Sequence, residues 1–155
     1  MKVPTLLDGP CVVFDSDHIA HYLVRKAGRD EFRVLLSEDR IDLWNARAVL
    51  NSVMQTETEL VLAKRAGMDI HDAKNARFQK MAASIEGGVQ YLESVSHLFG
   101  GPKISYQDFH LVSMIDHLVV FKVIPHFKTP PKLAKIVETL YMENESVRST
   151  AIPPL

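Results

Sequence analysis

The chain has 155 residues, of which 46% are hydrophobic and 24% are charged, and its formal net charge is −1. These values are typical of a soluble globular protein with one domain or two small ones, and the chain contains no low-complexity segment. Since no block of like charges occurs, the composition argues against nucleic acid or an anionic membrane surface as a partner.

Cysteine content and hydropathy indicate the compartment. Cys11 is the only cysteine, which excludes an internal disulfide and fits a reducing environment. No run approaches the roughly 20 apolar residues of a membrane span. The N-terminus lacks the apolar core of a signal peptide. We therefore expect a cytoplasmic protein.

A β-hairpin followed by a helix is predicted at the start of the chain. Two short apolar runs, 5–7 and 11–14, flank the turn Asp8-Gly9-Pro10, which is typical of a hairpin. Ser16 then lies where a helix should begin, as a cap that accepts a hydrogen bond from a first-turn N–H. Asp17 complements the positive end of the helix dipole. The free N–H groups of such a helix end can bind a carboxylate or a phosphate.

From residue 40 onward the hydrophobic pattern is helical. One long helix is expected over 43–66, with Gly67 as its stop, and a second over 72–98. Gly87-Gly88 interrupts the second helix. Two interior glycines cost roughly 1 kcal/mol each relative to alanine, so they indicate close approach of another backbone or a bend.

A third helix has the clearest start signal in the chain. Ser105 as N-cap places Asp108 at the third helical position, which is the spacing of a capping box, and Ile104 and Phe109 occupy the positions of a hydrophobic staple. The residues that follow are apolar on nearly all sides, so this helix should be buried. Pro125 is expected to stop it.

The last helix is predicted to begin with Thr129 as its cap and Pro130 in its first turn. Its buried face repeats at helical spacing. That face is formed by Leu133, Ile136, Val137, Leu140 and Tyr141.

These segments resemble the cytosolic, bacterial-like glutathione S-transferase family from about residue 3 to residue 154. In that family a Val-Pro segment contains a cis-proline, here Pro4, and the residue before it, Val3, pairs its backbone with the cysteinyl backbone of glutathione. Asp15-Ser16 is similar to the acidic-Ser pair that holds the γ-glutamyl carboxylate. The segment 105–111 matches the capping box of the central helix in the family's all-α domain.

The resemblance implies an α+β fold that is mostly α. Residues 1–28 would form a partial thioredoxin-like unit, a β-hairpin plus one helix. Residues 29–39 would be a linker, and residues 40–155 an all-α C-terminal helical bundle of the glutathione transferase type.

The resemblance also assigns the first long helix to the electrophile pocket and the dimer cleft. Its candidate residues are Trp44, Arg47, Asn51 and Glu57. Solvated or dimer-facing side chains are the alternative explanation of these four residues.

Compared with the family pattern, the match begins after the first strand-helix-strand unit. That unit supplies the Tyr, Ser or Cys that activates the sulfur of glutathione, and thiolate formation needs such a group. We therefore expect no catalytic residue in this chain. The hairpin strand that holds Val3 to Leu7 would also present an unpaired apolar edge. A partner chain, a rearranged dimer or a missing N-terminal segment would have to cover it.

Two functions are consistent with these patterns. The first is a glutathione transferase that conjugates glutathione to a small apolar electrophile, binds glutathione through Val3, Pro4, Asp15 and Ser16, and forms a homodimer. The second is a non-catalytic protein of the same fold that dimerises or binds a protein or small ligand. Although the chain has seven histidines, none is part of a metal-binding motif, so no metal is expected.

Overall fold

The computed structural model describes residues 4–149. Strand β1 (Thr5–Asp8) pairs antiparallel with β2 (Cys11–Phe14), and Leu7 lies opposite Val12. Helix α1 (Ser16–Ala27) follows and packs on this hairpin. The predicted hairpin and helix are thus confirmed.

The cap of α1 differs from the prediction by one residue. Asp15, not Ser16, is the N-cap, and its carboxylate accepts the N–H groups of Asp17 at 3.0 Å and His18 at 3.4 Å. Asp15 has φ 76° and ψ 136°, which turns its carboxylate toward the helix end. Two first-turn N–H groups are therefore already bonded, and Ser16 is the first helical residue.

Side chains of α1 bond it to the hairpin. The hydroxyl of Tyr22 donates to the carboxylate of Asp8 at 2.7 Å, and the ammonium of Lys26 pairs with the same carboxylate. The hydrogen bond to Asp8 raises the pKa of Tyr22 to about 12. None of the 12 residues of α1 is fully buried.

Within residues 4–149, five further helices and one short 3₁₀ turn follow α1. They are α2 (Ile41–Arg65), α3 (Ala76–Ser94), the 3₁₀ turn Ser96–Leu98, α4 (Tyr106–Phe121), α5 (Pro131–Glu143) and α6 (Glu145–Arg148). Helix α2 packs against both α3 and α4. This mostly helical α+β architecture is the predicted fold class.

The core lies between these helices, and α4 contributes most to it, as its apolar sequence predicts. The largest fully buried side chains include Leu50, Leu60, Ile85, Leu92, Leu111, Met114, Leu118 and Leu133.

The second helix begins later than predicted, and Gly87-Gly88 does not interrupt it. It begins at Ala76, because the Asn75 side chain accepts the N–H of Phe78, and it runs unbroken to Ser94. At Gly88 a Cβ atom would lie 2.5 Å from Cγ2 of Val53. Gly88 thus marks the close approach of a neighbouring side chain within a continuous helix.

The end of α4 and the start of α5 also differ from the prediction. Helix α4 ends at Phe121, where Lys122 takes a left-handed conformation with φ 50°, before Pro125 is reached. The residue before α5 is Pro130 rather than Thr129. The first N–H groups of α5, from Lys132 and Leu133, donate to the carboxylate of Glu93 on α3 at 3.1 and 3.0 Å.

Candidate functional site

The structure brings together the two segments that the sequence proposed as a binding site. The N–H of Asp15 donates to the carbonyl oxygen of Pro4 at 3.3 Å, and Pro4, Asp15 and Ser16 are all exposed. Val3 lies outside the described residues, so its predicted backbone pairing stays a prediction. The positive φ of Asp15 is a strained conformation of a kind that concentrates at ligand sites.

Within the described part of the chain, the N–H of Ser16 has no hydrogen-bond partner. Asp15 already accepts the next two N–H groups of α1. The N–H and hydroxyl of Ser16 are therefore the donors that this helix end offers to a ligand carboxylate.

Asp17, the next residue, joins α1 to the helical bundle. Its half-buried carboxylate accepts a hydrogen bond from the Tyr106 hydroxyl at 2.6 Å and another from the Asn51 amide at 2.9 Å. Burial opposes its ionisation, but these two bonds and the charge of Arg47 outweigh burial and lower the pKa of Asp17. Asp17 is therefore held as a carboxylate.

Tyr106 is the partner of Asp17 on the bundle side. Burial and the bond to Asp17 raise the pKa of the Tyr106 phenol, while a smaller contribution from Ser16 acts in the opposite direction. The phenol therefore stays protonated, and its hydroxyl donates a hydrogen bond to Asp17.

Arg47 packs behind Tyr106. It is 4% exposed, and its guanidinium lies 5.1 Å from the centroid of the Tyr106 ring. It donates to the carbonyl of Val34 at 2.7 Å and contacts Nε2 of His21 at 3.1 Å, which must be the acceptor because a guanidinium only donates. Arg47 thus connects α2, α1 and the segment between them.

The predicted capping box is present at the start of α4. Asp108 is fully buried and accepts hydrogen bonds from the N–H and the hydroxyl of Ser105, both at 2.7 Å, and from the N–H of Gly100 at 2.8 Å. The N–H of Asp108 donates back to the Ser105 hydroxyl. Because Tyr106 is the next residue, this box fixes the turn from which the Tyr106 side chain projects.

The four residues predicted on the first long helix do not share one environment. Arg47 and Asn51 face α1, as described above. Trp44 is 40% exposed, and its indole N–H donates to the carbonyl of Ser37 at 3.1 Å. Glu57 is 0% exposed and lies 3.3 Å from Nδ1 of His117. Their assignment to an electrophile pocket or a dimer cleft stays a prediction.

An apolar groove of about 460 Å³ lies between α1 and the start of α4. Its charged residues are Arg29 and Glu31. The other lining residues are Ala20, Leu23, Val24, Ala27, Phe32, Val34, Tyr106 and Phe109. None of the four candidate residues on α2 lines this groove.

Sequence reasoning missed Asp17 and Tyr106 as site residues. Asp17 was read only for its effect on the helix dipole, and Tyr106 only as part of the start of a helix. The available signal was the position of each residue: one follows the acidic-Ser pair, and the other follows the Ser of the capping box.

Residues 4–149 contain neither a metal-binding cluster nor a membrane-spanning helix. No group of three or more His, Cys, Asp or Glu side chains among them is arranged to hold a metal ion. No helix in this range has the length and apolar character needed to cross a membrane.

Among the comparisons with known proteins, a solved structure gives an informative match. No protein-family model matches the sequence, and no curated protein matches it. Among solved structures, the chain is similar to a glutathione S-transferase from Methylobacterium radiotolerans, crystallised in complex with glutathione sulfonate. The TM-score is 0.71 and the identity 19%, and the match covers 99% of this chain and 73% of that chain. This likeness shows that the chain has a glutathione S-transferase-like fold.

Proposed function

We propose that this protein binds glutathione at the start of α1, where Pro4, Asp15 and Ser16 meet. The observation that carries the proposal is the match to a glutathione S-transferase crystallised with glutathione sulfonate, which extends over 99% of this chain. The contact between Pro4 and Asp15 supports it, because the two segments that hold glutathione in the resembling family are neighbours here.

The donors and charges at this position suit the γ-glutamyl end of glutathione. The N–H and hydroxyl of Ser16 would donate to its carboxylate, in the way that helix N-termini bind anions. The carboxylate of Asp15, 57% exposed, and that of Asp17 next to it would favour the α-ammonium group. Val3 would pair its backbone with the cysteinyl part.

We further propose that glutathione bound here serves conjugation to a small apolar electrophile, in a cytoplasmic homodimer. That reaction needs a group that stabilises the thiolate. We assign no residue of this chain to that role. Conjugation would therefore require a group beyond those assigned here.

Calorimetric titration of the full chain with glutathione and with glutathione sulfonate tests the binding proposal. We expect Ser16→Ala to weaken binding about tenfold, because one hydrogen bond to a charged group is lost. Ser84→Ala, at an exposed position of α3, is the matched control and should bind like the parent. Equal affinities for Ser16→Ala and Ser84→Ala would exclude the proposed site.

A non-catalytic protein of the same fold is the second candidate, and one observation favours it. Leu7, Val12 and Phe14 are 71%, 50% and 45% exposed, and the strand register puts all three on the same face of the hairpin. An exposed apolar face of this kind is suited to a partner. In a conjugation assay with a chromogenic aryl halide, turnover that depends on glutathione would favour the first candidate over the second.

A further inference from the structure

We infer that Tyr106 is a positioning residue for the site at the start of α1. Its hydroxyl bond to Asp17 fixes the first turn of α1, and with it the N–H and hydroxyl of Ser16, relative to the helical bundle. The inference rests on the proposed function, because that function supplies the ligand, glutathione. It adds that a residue of the helical bundle holds the binding site in place.

Tyr106 is itself held at three points. Its N–H donates to the carbonyl of Phe32 at 2.7 Å, its ring lies under the guanidinium of Arg47, and the capping box formed by Ser105 and Asp108 fixes the preceding turn. A side chain with so few free torsions loses little entropy when its hydroxyl bonds. Tyr106 is therefore a rigid anchor.

Helix α1, in contrast, contributes no residue to the buried apolar core. None of its residues is fully buried, and the described polar contacts from α1 to the bundle run through Asp17 and His21. Apolar burial usually determines where a helix sits on its neighbours. Here the hydrogen bonds of Asp17 must contribute a larger share of that positioning.

Of the two bonds that Asp17 accepts, the one from Tyr106 is the better anchor. It is 2.6 Å long and half-buried, whereas the bond from Asn51 is 2.9 Å long and exposed. Short hydrogen bonds to a carboxylate are stronger than neutral ones, and water competes less where they are shielded. Because the N–H of Asp17 also donates to Asp15, a shift of Asp17 would displace the whole turn around Ser16.

The test compares Tyr106→Phe with Tyr141→Phe. Both variants lose a phenolic hydroxyl that donates to an aspartate. In Tyr106→Phe the lost bond is the one to Asp17, whereas in Tyr141→Phe it is the one to Asp116, between α5 and α4. We expect Tyr106→Phe to bind glutathione about tenfold more weakly than the parent, whereas Tyr141→Phe binds with unchanged affinity. A general loss of stability would affect both variants alike. Equal affinities for the two variants would overturn the inference.

Hydrogen exchange of the backbone amides in residues 19–24 gives a readout that needs no ligand. We expect these amides to exchange faster in Tyr106→Phe than in the parent or in Tyr141→Phe, while amides of α3 exchange at parental rates. Unchanged exchange in α1 would overturn the inference even if glutathione binds. If the parent does not bind glutathione, the proposed function fails, and the exchange experiment still decides whether Tyr106 orders α1. Asp17→Asn repeats both measurements if Tyr106→Phe does not fold.

Discussion

The hydroxyl of Tyr106 donates to the carboxylate of Asp17 at 2.6 Å, although the two residues are 89 positions apart in the chain. This bond joins the turn made by the capping box of α4 to the turn that holds Ser16. The geometry of the proposed binding site therefore depends on a helix start in the other part of the fold.

The first prediction concerns the pH dependence of stability at Asp17. The pKa of Asp17 is lower in the folded chain than its ordinary value of 3.8, so the unfolded chain binds this proton more readily. The resulting stability is present above pH 3.8 and is lost as the pH falls through the folded pKa. Asp17→Asn should lower the free energy of unfolding by about 1 kcal/mol at pH 7, with a smaller effect at pH 3.

Urea unfolding at both pH values measures this difference. Glu38→Gln, at an exposed position, serves as the control and should change the free energy of unfolding by less than about 0.5 kcal/mol. An effect of Asp17→Asn that grows toward pH 3 would contradict the prediction.

The second prediction uses the adjacent glycines of α3. A Cβ at position 88 would lie 2.5 Å from Cγ2 of Val53, whereas a Cβ at position 87 would meet nothing within 4 Å. Gly87→Ala should raise the free energy of unfolding by up to about 1 kcal/mol through helix propensity. Gly88→Ala should lower it, because overpacking costs about 1–3 kcal/mol and exceeds that gain.

Thermal or urea unfolding of the two variants gives opposite signs if the prediction holds. The loss caused by Val53→Ala combined with Gly88→Ala should be smaller than the sum of the two single losses, since the clash is with a Val53 methyl group. Stabilisation by Gly88→Ala alone would show that this contact relaxes without cost.

The third prediction concerns buried Glu57 and its partly exposed partner His117. Burial raises the pKa of Glu57, and His117 only partly offsets this effect. The folded chain then holds this proton more tightly than the unfolded chain, so stability falls as the pH rises above 4.5. Glu57→Gln removes this ionisation, and its stability relative to the parent should increase from pH 4.5 to pH 7.

Glu59→Gln on the same helix is the control, because the described contact of Glu59 is an exposed ion pair with Arg77. Unfolding curves across this pH range should separate the Glu57 and Glu59 variants. Parallel curves for Glu57→Gln and the parent would contradict the prediction.

The fourth prediction concerns the start of α5. The carboxylate of Glu93 accepts two N–H groups there, whereas Thr129 provides no side-chain cap. Glu93→Ala should cost about 1–2 kcal/mol of the free energy of unfolding, in the range measured for lost caps. Thr129→Ala should cost less than about 0.5 kcal/mol. A larger loss for Thr129→Ala than for Glu93→Ala in urea unfolding would show that the cap is wrongly assigned.

The features predicted correctly from sequence depend on residues close together in the chain. The hairpin turn at Asp8-Gly9-Pro10 and the capping box of Ser105 and Asp108 each lie within a few positions, so the residues that determine the structure can be read directly. The helix starts that were predicted wrongly depend on an unusual backbone angle or on a residue far away in the chain. Asp15 caps α1 through an unusual φ, and Glu93 reaches α5 from another helix.

The same distinction applies to the candidate site. Pro4 and Asp15-Ser16 were recognised as motif residues, and their proximity follows from the hairpin between them. The bond of Tyr106 to Asp17 depends on how α1 docks on the bundle, which no local pattern specifies. Glu57 belongs to the same class, because its burial depends on the packing of α2 against α4.

The absence of fully buried residues in α1 has a consequence for how the molecule opens. We expect the hairpin and α1 to detach as one unit before the bundle, which contains the apolar core, unfolds. A protease should therefore cut the parent chain first within residues 4–28. A ligand that binds only the closed form would slow that cleavage in proportion to its occupancy. Bound ligand would thus protect the hairpin and α1, the part of the fold that we expect to open first.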